Sequence, residues 1–352
     1  MKDAIHILVT TNKPFLPGAF VTLGSLLDAN GGKDDFLLHI IDTGIGEEGR
    51  ASLTRFLGRY PNADVKFHTI DESRFAECSK DYGGGVSTYA RLFMGSLIDA
   101  PRCIYIDADM LVLKDVAELW RRDMNGKIML ALHEYELDGT PLYLDRGCPF
   151  APPEQVRHYP YYCMGSFLCD LNAWRAFDAE KKAFELIRQV SGKLPAWDQT
   201  VLDYLLRDHL GAFDRSWDIF ARSEPFRDDV IYHFGTKQKP WGRTNLRLED
   251  VLWHTYYRIR VRPFWRFKTP LKIQAQNALW SIAYFFLSFF FQKQYLAYKQ
   301  RVGCPPNEIW ATQHKLTIYR QYVLHGLDAQ SRVVLKKLEH HWKELAQKPS
   351  GE

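Results

Sequence analysis

The sequence predicts an α/β fold with a mostly parallel central sheet, continued by a helical, membrane-associating C-terminal extension. Three observations carry that reading. Strand-like apolar runs alternate with helix-period segments from residue 5 to about 135, the rhythm of a parallel sheet covered by helices. The chain has 352 residues with 46% hydrophobic and 25% charged content. That is enough to bury one large or two modest cores, and it excludes disordered, collagen-like and low-complexity classes. Charge is unevenly divided: residues 251–307 hold no Asp or Glu and nine Lys or Arg, while the remainder carries 37 basic and 42 acidic side chains. The formal net charge of +4 therefore joins a mildly acidic body to a cationic, aromatic segment, and it gives no argument for a nucleic-acid partner.

The elements follow in order. Ile5–Thr10 is an apolar strand ending in the turn-like Asn12-Lys13-Pro14. Phe20, Val21, Leu23, Leu26 and Leu27 recur at helical spacing and stop at Asn30-Gly31-Gly32. Phe36–Ile41 reads as a buried strand, Glu47–Gly58 as a charged helix, and Val65–Ile70 as a half-buried strand. A helix from about Thr88 to Leu97 precedes the apolar strand Cys103–Ile106, and another strand runs from about Lys127 to Leu132. After a Pro-rich loop, Tyr161–Leu171 reads as a core strand, with helices near 172–191 and 198–209 and a last strand at Val230–Phe234. Composition shifts near Trp241–Leu248, so the expected organisation is a domain over 1–248, a basic aromatic segment over 249–304 and a helical tail over 305–352.

The N-terminus enters strand-like sequence directly, without the apolar core or small-residue cleavage site of a secretory signal. The six cysteines form no CxxC pair, so neither a disulfide framework nor a cysteine zinc site is expected. The expectation is reduced thiols in the cytoplasm.

Ligands of such sheets bind beyond the carboxyl ends of the strands. Asp107 and Asp109 stand there, directly after Cys103-Ile104-Tyr105-Ile106 and before a second apolar run, Met110–Leu113. Paired hard oxygens suit magnesium or manganese. A chain of this composition yields about two Asp-x-Asp triplets by chance, so the position after a buried strand carries the argument, not the pattern.

Four further segments surround Ile106-Asp107-Ala108-Asp109. They are Ser87-Thr88-Tyr89-Ala90-Arg91-Leu92, Tyr161-Tyr162-Cys163-Met164-Gly165, Trp197-Asp198-Gln199-Thr200, and His233-Phe234-Gly235 running on to Lys239-Pro240-Trp241. In this order and spacing, over roughly residues 5–242, the chain resembles glycosyltransferase family 8. That family includes bacterial lipopolysaccharide galactosyl- and glucosyltransferases and, more distantly, glycogenin. The resemblance implies a nucleotide-sugar-binding domain of the GT-A type and retention of anomeric configuration. It implies that Asp107, Asp109 and His233 hold manganese, or magnesium in its place, against the diphosphate of a UDP-sugar, with Ala108 between the two acids. It assigns Lys239 to the diphosphate, Arg91 to the donor phosphate and sugar, and Asp198 and Gln199 to the donor sugar. Thr10 and Asn12 fall in the turn assigned to the nucleotide. Read without the resemblance, Asp198 is a helix N-cap and His233 a satisfied histidine at a strand end. The chain departs from the family pattern in three places: Asn12-Lys13-Pro14 replaces an Asp-Asp-Asn type of turn, Cys163 an Asn, and Thr236 a Gly.

In the tail, Trp253, Tyr256, Tyr257, Phe264, Trp265 and Phe267 interleave with Arg258, Arg260, Arg262, Arg266 and Lys268, followed by the aromatic run Leu279–Phe291. Those 13 residues span about 20 Å as a helix, short of the roughly 30 Å hydrocarbon core. A monotopic or re-entrant anchor on an anionic membrane surface is expected. Leu335, Leu338, Trp342 and Leu345 form an apolar stripe on a final helix, and no feature sets an oligomeric state. The combined expectation is a retaining, manganese-dependent enzyme that moves galactose or glucose from a UDP-hexose to a glycolipid or oligosaccharide of the bacterial surface, at the inner face of the cell membrane. Two alternatives stand beside it: a non-catalytic glycan- or membrane-binding relative, and a sugar-nucleotide nucleotidyltransferase, for which the first turn offers no Gly-rich phosphate loop.

Overall fold

The computed structural model describes residues 4–80, 85–135, 140–145, 148–190, 194–220, 225–235, 239–242 and 250–267. It also describes residues 279, 282–283 and 285–304, scattered positions between 309 and 324, and 326–347. The chain divides into two compact units, one of Met1–Ile219 with Asp229–His233, the other of Phe220–Asp228 with Phe234–Lys348.

In the first unit the alternation of strands and helices builds a seven-stranded sheet. Its strands are β1 (Ile5–Thr11), β2 (Phe36–Asp42), β3 (Ala63–His68), β4 (Arg102–Ile106), β6 (Met129–His133), β7 (Tyr162–Asp170) and β8 (Leu210–Phe213), in the order β3-β2-β1-β4-β7-β6-β8. The pairs β3-β2, β2-β1, β1-β4 and β6-β8 are parallel, as expected, while β7 runs antiparallel to both β4 and β6. The strands β5 (Met110–Val112), β9 (Ile219–Phe220) and β10 (Ile231–His233) form a second sheet, with Met110 opposite His233.

Helix α1 (Leu16–Asn30) starts with Pro17 in its first turn and ends on Gly31, whose φ of 66° lets its N–H reach the Leu27 carbonyl. Nearly all of α1 is buried, and its polar residues serve as tethers. Thr22 Oγ1 donates to the Met110 carbonyl at 2.9 Å and accepts from the Met110 N–H at 3.1 Å, while Ser25 Oγ accepts from the Val112 N–H at 2.9 Å. The strand that follows Asp107 and Asp109 is thus pinned from behind. Helix α2 (Gly46–Leu57) packs Phe56 edge-on against Phe20 of α1, with ring centroids 5.1 Å apart. The segment expected as one helix over Thr88–Leu97 is instead a 3₁₀ turn, Ser87–Phe93, continuing into the α-helical Met94–Leu97. The six cysteines are all free.

In the second unit, Trp253 and Tyr256 are fully buried. Tyr256 meets Trp342 edge-on at 5.1 Å and Trp253 stacks on Tyr257 at 5.5 Å. This corrects the expectation that these rings face a membrane: they form the core onto which the stripe of Leu338 and Trp342 docks. Arg260 is buried as well, and Arg258 pairs with Glu339 at 3.2 Å. Arg262, Arg266 and Phe264 are exposed, as are Leu279, Ile282, Phe285, Phe286, Phe290 and Phe291. Much of the uncharged window 273–292 lies outside the described residues, as do Lys268 and Thr236. Among the described residues no helix is long and apolar enough to cross a membrane.

A chain of histidines crosses β1, β2 and β3. His6 Nδ1 lies 2.9 Å from His39 Nε2, and His39 Nδ1 lies 2.9 Å from His68 Nε2. Burial, then the neighbouring His6, His68 and Lys66, pushes His39 down to about 3, and burial lowers His6 and His68 too. An unfolded histidine near 6.5 takes up protons that the folded chain refuses, so this stability is fully present above pH 6.5 and is lost as pH falls towards 3. For His39 alone the expected loss between pH 7 and pH 5 is about 2 kcal/mol. Urea unfolding of the wild type and His39→Gln at both pH values measures it: the variant should show a shallower pH dependence, and an unchanged one contradicts the assignment.

Candidate active site

The acids expected at the end of β4 meet the end of β10 there. The backbone leaves β4 through a turn at Ala108 and Asp109 rather than in extended form, and the Asp107 N–H donates to the Gly165 carbonyl at 2.7 Å. His233 ends β10. Its Nε2 lies 3.6 Å from Asp109 Oδ1 and 3.9 Å from Asp107 Oδ2, and one donor atom from each of the three residues lies within 4.8 Å of the others. Two carboxylates and an imidazole are a donor set that manganese accepts, so the residues fit the cation the family implies. Burial opposes a charge on His233, but Asp218 and Asp109 outweigh it and hold the imidazolium up to about 9. Burial, opposed by Arg91 and reinforced by Asp109, raises Asp107. These acids are costly to ionise together without a cation.

Arg91 is the second centre of charge. It is buried, with Nε 2.5 Å from Asp198 Oδ2 and Nη1 3.5 Å from Asp107 Oδ1. It also donates to the Met164 carbonyl, and its guanidinium lies 4.6 Å from the centroid of the Tyr105 ring. Burial would strip its charge, but Asp198, Tyr105 and Asp107 keep it protonated. Asp198 is raised to about 6 by burial, with Arg91 opposing. The helix Trp197–Leu205 begins at Ala196 without a side-chain cap, so Asp198 is the partner of Arg91 and not an N-cap. Gln199 Oε1 accepts from the Met164 N–H at 3.4 Å.

The structure thus brings Arg91, Asp107, Ala108, Asp109, Asp198, Gln199 and His233 together. Thr10 is buried near the end of β1. Asn12 holds the following turn: its Oδ1 accepts from the Phe15 N–H at 3.1 Å and its Nδ2 donates to Ser87 Oγ at 3.0 Å, tying β1 to the turn that carries Arg91. Lys239 belongs to the second unit, where Nζ donates to the Phe234 carbonyl at 3.1 Å.

Sequence reasoning missed three neighbours. Tyr105 Oη donates to Asp107 Oδ1 at 2.5 Å. Asp218 Oδ1 lies 3.1 Å from His233 Nδ1. Glu134, raised by burial and by Asp218 against hydrogen bonds to Cys163 and Gln199, follows β6 as Asp107 follows β4. The same strand-end rule would have found Glu134; no local signal marks Asp218.

A sheet of this order, with acids and an imidazole gathered past β4, defines the GT-A class of sugar-transferring folds. The family model for glycosyl transferase family 8 matches residues 6–245, and the chain belongs to that family of glycosyltransferases. Among solved structures, galactosyltransferase LgtC in complex with donor and acceptor sugar analogs superposes with a TM-score of 0.59 at 20% identity, over 70% of this chain and 92% of that one. Among curated relatives, probable galacturonosyltransferase-like 9 of Arabidopsis thaliana is 23% identical over 72% of this chain and 71% of its own length. Glycosyltransferase GlyF of Streptococcus pneumoniae is 22% identical over 71% and 60% respectively.

Removing the buried cation leaves uncompensated carboxylates. Arg91→Ala is expected to cost about 3–5 kcal/mol in urea unfolding, with part of it recovered in Arg91→Ala/Asp198→Asn. A loss below about 1 kcal/mol, or no recovery, contradicts the pairing.

Proposed function

We propose that the protein transfers a hexose, galactose or glucose, from a UDP-sugar to a cell-surface glycan acceptor, assisted by manganese and with retention of configuration. The observation that carries the reading is the convergence of Asp107, Asp109 and His233 beside the Arg91–Asp198 pair at the carboxyl end of β4. Asp107, Asp109 and His233 Nε2 would hold the cation; when bound, it supplies charge neutralisation to a diphosphate leaving group. Arg91, locked by Asp198 and Met164, presents a fixed positive charge towards the donor side without rearranging as the leaving group gains charge. Asp198 holds Arg91 rather than reacting. Gln199, its Oε1 held by the Met164 N–H and its side chain hydrogen-bonded to Glu134, would together with that carboxylate form the wall that meets the sugar hydroxyls. Lys239 is assigned to the diphosphate by its place in the Lys-Pro-Trp motif.

A panel of UDP-galactose, UDP-glucose and UDP-galacturonic acid, with and without manganese, tests this through donor hydrolysis. Turnover of one hexose donor is expected with manganese, and Asp107→Ala and Asp109→Ala should each lower it by about 100-fold or more. Manganese-dependent turnover unchanged in both variants refutes the site.

We also propose that the protein sits peripherally on an anionic membrane surface, at the inner face of the cell membrane. Exposed Phe286, Phe290 and Phe291 lie in a segment free of acidic residues, a composition suited to an interface. Replacing those three with Ser leaves the buried Trp253–Tyr256 core intact, and cosedimentation with phosphatidylglycerol vesicles should weaken about tenfold or more. Equal binding by wild type and variant contradicts the proposal.

A further inference from the structure

Behind the imidazole of the candidate cation site stands a carboxylate that the family motif does not include. Asp218 is fully buried. It directly follows the 3₁₀ turn Arg215–Trp217, which Asp214 caps by accepting from the Ser216 N–H at 3.0 Å. Its Oδ1 lies 3.1 Å from His233 Nδ1, while the other ring nitrogen, Nε2, faces Asp109 and Asp107. The second Asp218 oxygen is also held: Ser166 Oγ lies 3.4 Å from Oδ2 and 3.0 Å from the Trp217 carbonyl.

The neighbouring strand is shaped around this pair. A Cβ on Gly165 would lie 2.4 Å from His233 Cε1, 2.7 Å from Nδ1 and 3.0 Å from Asp218 Oδ2. Real side chains do not approach so closely, so any larger residue at 165 displaces the ring, the carboxylate or the strand. The Gly165 carbonyl also accepts from the Asp107 N–H. One residue of β7 therefore positions the imidazole by giving it room and the first acid by a hydrogen bond. Cys163 Sγ lies 3.9 Å from Nδ1, and with Asp218 and His233 it could be read as a separate soft-cation site. The shorter contact to a carboxylate uses Nδ1 and Asp218 on each other, and that is the reading the geometry carries.

We propose that Asp218, backed by Ser166 and seated by Gly165, is the positioning residue of His233, holding Nδ1 so that Nε2 is aimed at the cation site of Asp107 and Asp109. A carboxylate behind a metal-binding imidazole fixes its tautomer and ring orientation and raises its basicity as a ligand. The inference rests on the cation site of the proposed function and adds a residue to it. Asp218→Ala removes both the acceptor and the charge; Asp218→Asn keeps an oxygen for Nδ1 and removes only the charge.

The test is binding of manganese alone to the full-length protein, without nucleotide or sugar, followed by the paramagnetic resonance of free Mn²⁺ and paired with a thermal melt. Asp218→Ala should bind Mn²⁺ about 10- to 100-fold more weakly than wild type, with Asp218→Asn between the two. A purely structural role would lower the melting temperature and leave the affinity of the folded protein unmoved. Should Asp218→Ala not fold, Asp218→Asn and Ser166→Ala carry the comparison, and both should bind Mn²⁺ more weakly than wild type. Wild-type affinity in the folded variants overturns this inference and leaves the cation site standing. Absence of Mn²⁺ binding by the wild type overturns both.

Discussion

The site depends on one electrostatic constraint: carboxylates gathered in a buried place must be answered by cations. Asp107, Asp109, Asp198 and Asp218 converge near the end of β4, and Arg91 and His233 face them. Arg91 is committed to Asp198 and also touches Asp107. His233 is shared between Asp218 on one side and Asp107 and Asp109 on the other. Without a further positive charge, burial raises Asp107 and Asp198 from the usual carboxylate range, while Asp218 and Asp109 hold His233 up to about 9 against its own burial. Such shifted groups cluster where a protein is built to take a charged ligand, and a divalent cation would supply the positive charge that this arrangement lacks.

The fold serves that constraint by holding each acid from behind. Buried Thr22 and Ser25 of α1 bind the backbone of β5, so the loop carrying Asp107 and Asp109 is fixed at its far end. On its near side, β7 runs antiparallel next to β4 and brings the Gly165 carbonyl to the Asp107 N–H. Asn12 and Ser87 link the first strand to the 3₁₀ turn bearing Arg91. The buried hydroxyls of Thr22 and Ser25 are each hydrogen-bonded, which offsets the cost of taking them out of water.

Much of this was legible from the residues alone. The alternation of strand and helix periods locates the sheet, and the acids after an apolar strand locate the candidate site. Strand direction was not legible for β7, whose run is apolar on both faces and reads alike in either orientation. Nor could the linear pattern tell docked rings from exposed ones: Trp253 and Tyr256 look like Phe290 and Phe291 in sequence, yet the first pair is buried around Trp342 and the second pair is exposed. Asp198 reads as a helix cap until Arg91 arrives from more than a hundred residues away. Asp218 has no signal at all, because its meaning comes only from the tertiary meeting of β10, β7 and the turn before β9.

The central claim, that Asp107, Asp109 and His233 form a cation site, is tested most directly by crystals grown with Mn²⁺ and UDP and measured at the manganese absorption edge. The account predicts an anomalous peak within bonding distance of an oxygen of Asp107, an oxygen of Asp109 and Nε2 of His233, with the nucleotide diphosphate against it. No peak at this cluster, or a manganese ion bound elsewhere with these three side chains unengaged, would contradict it.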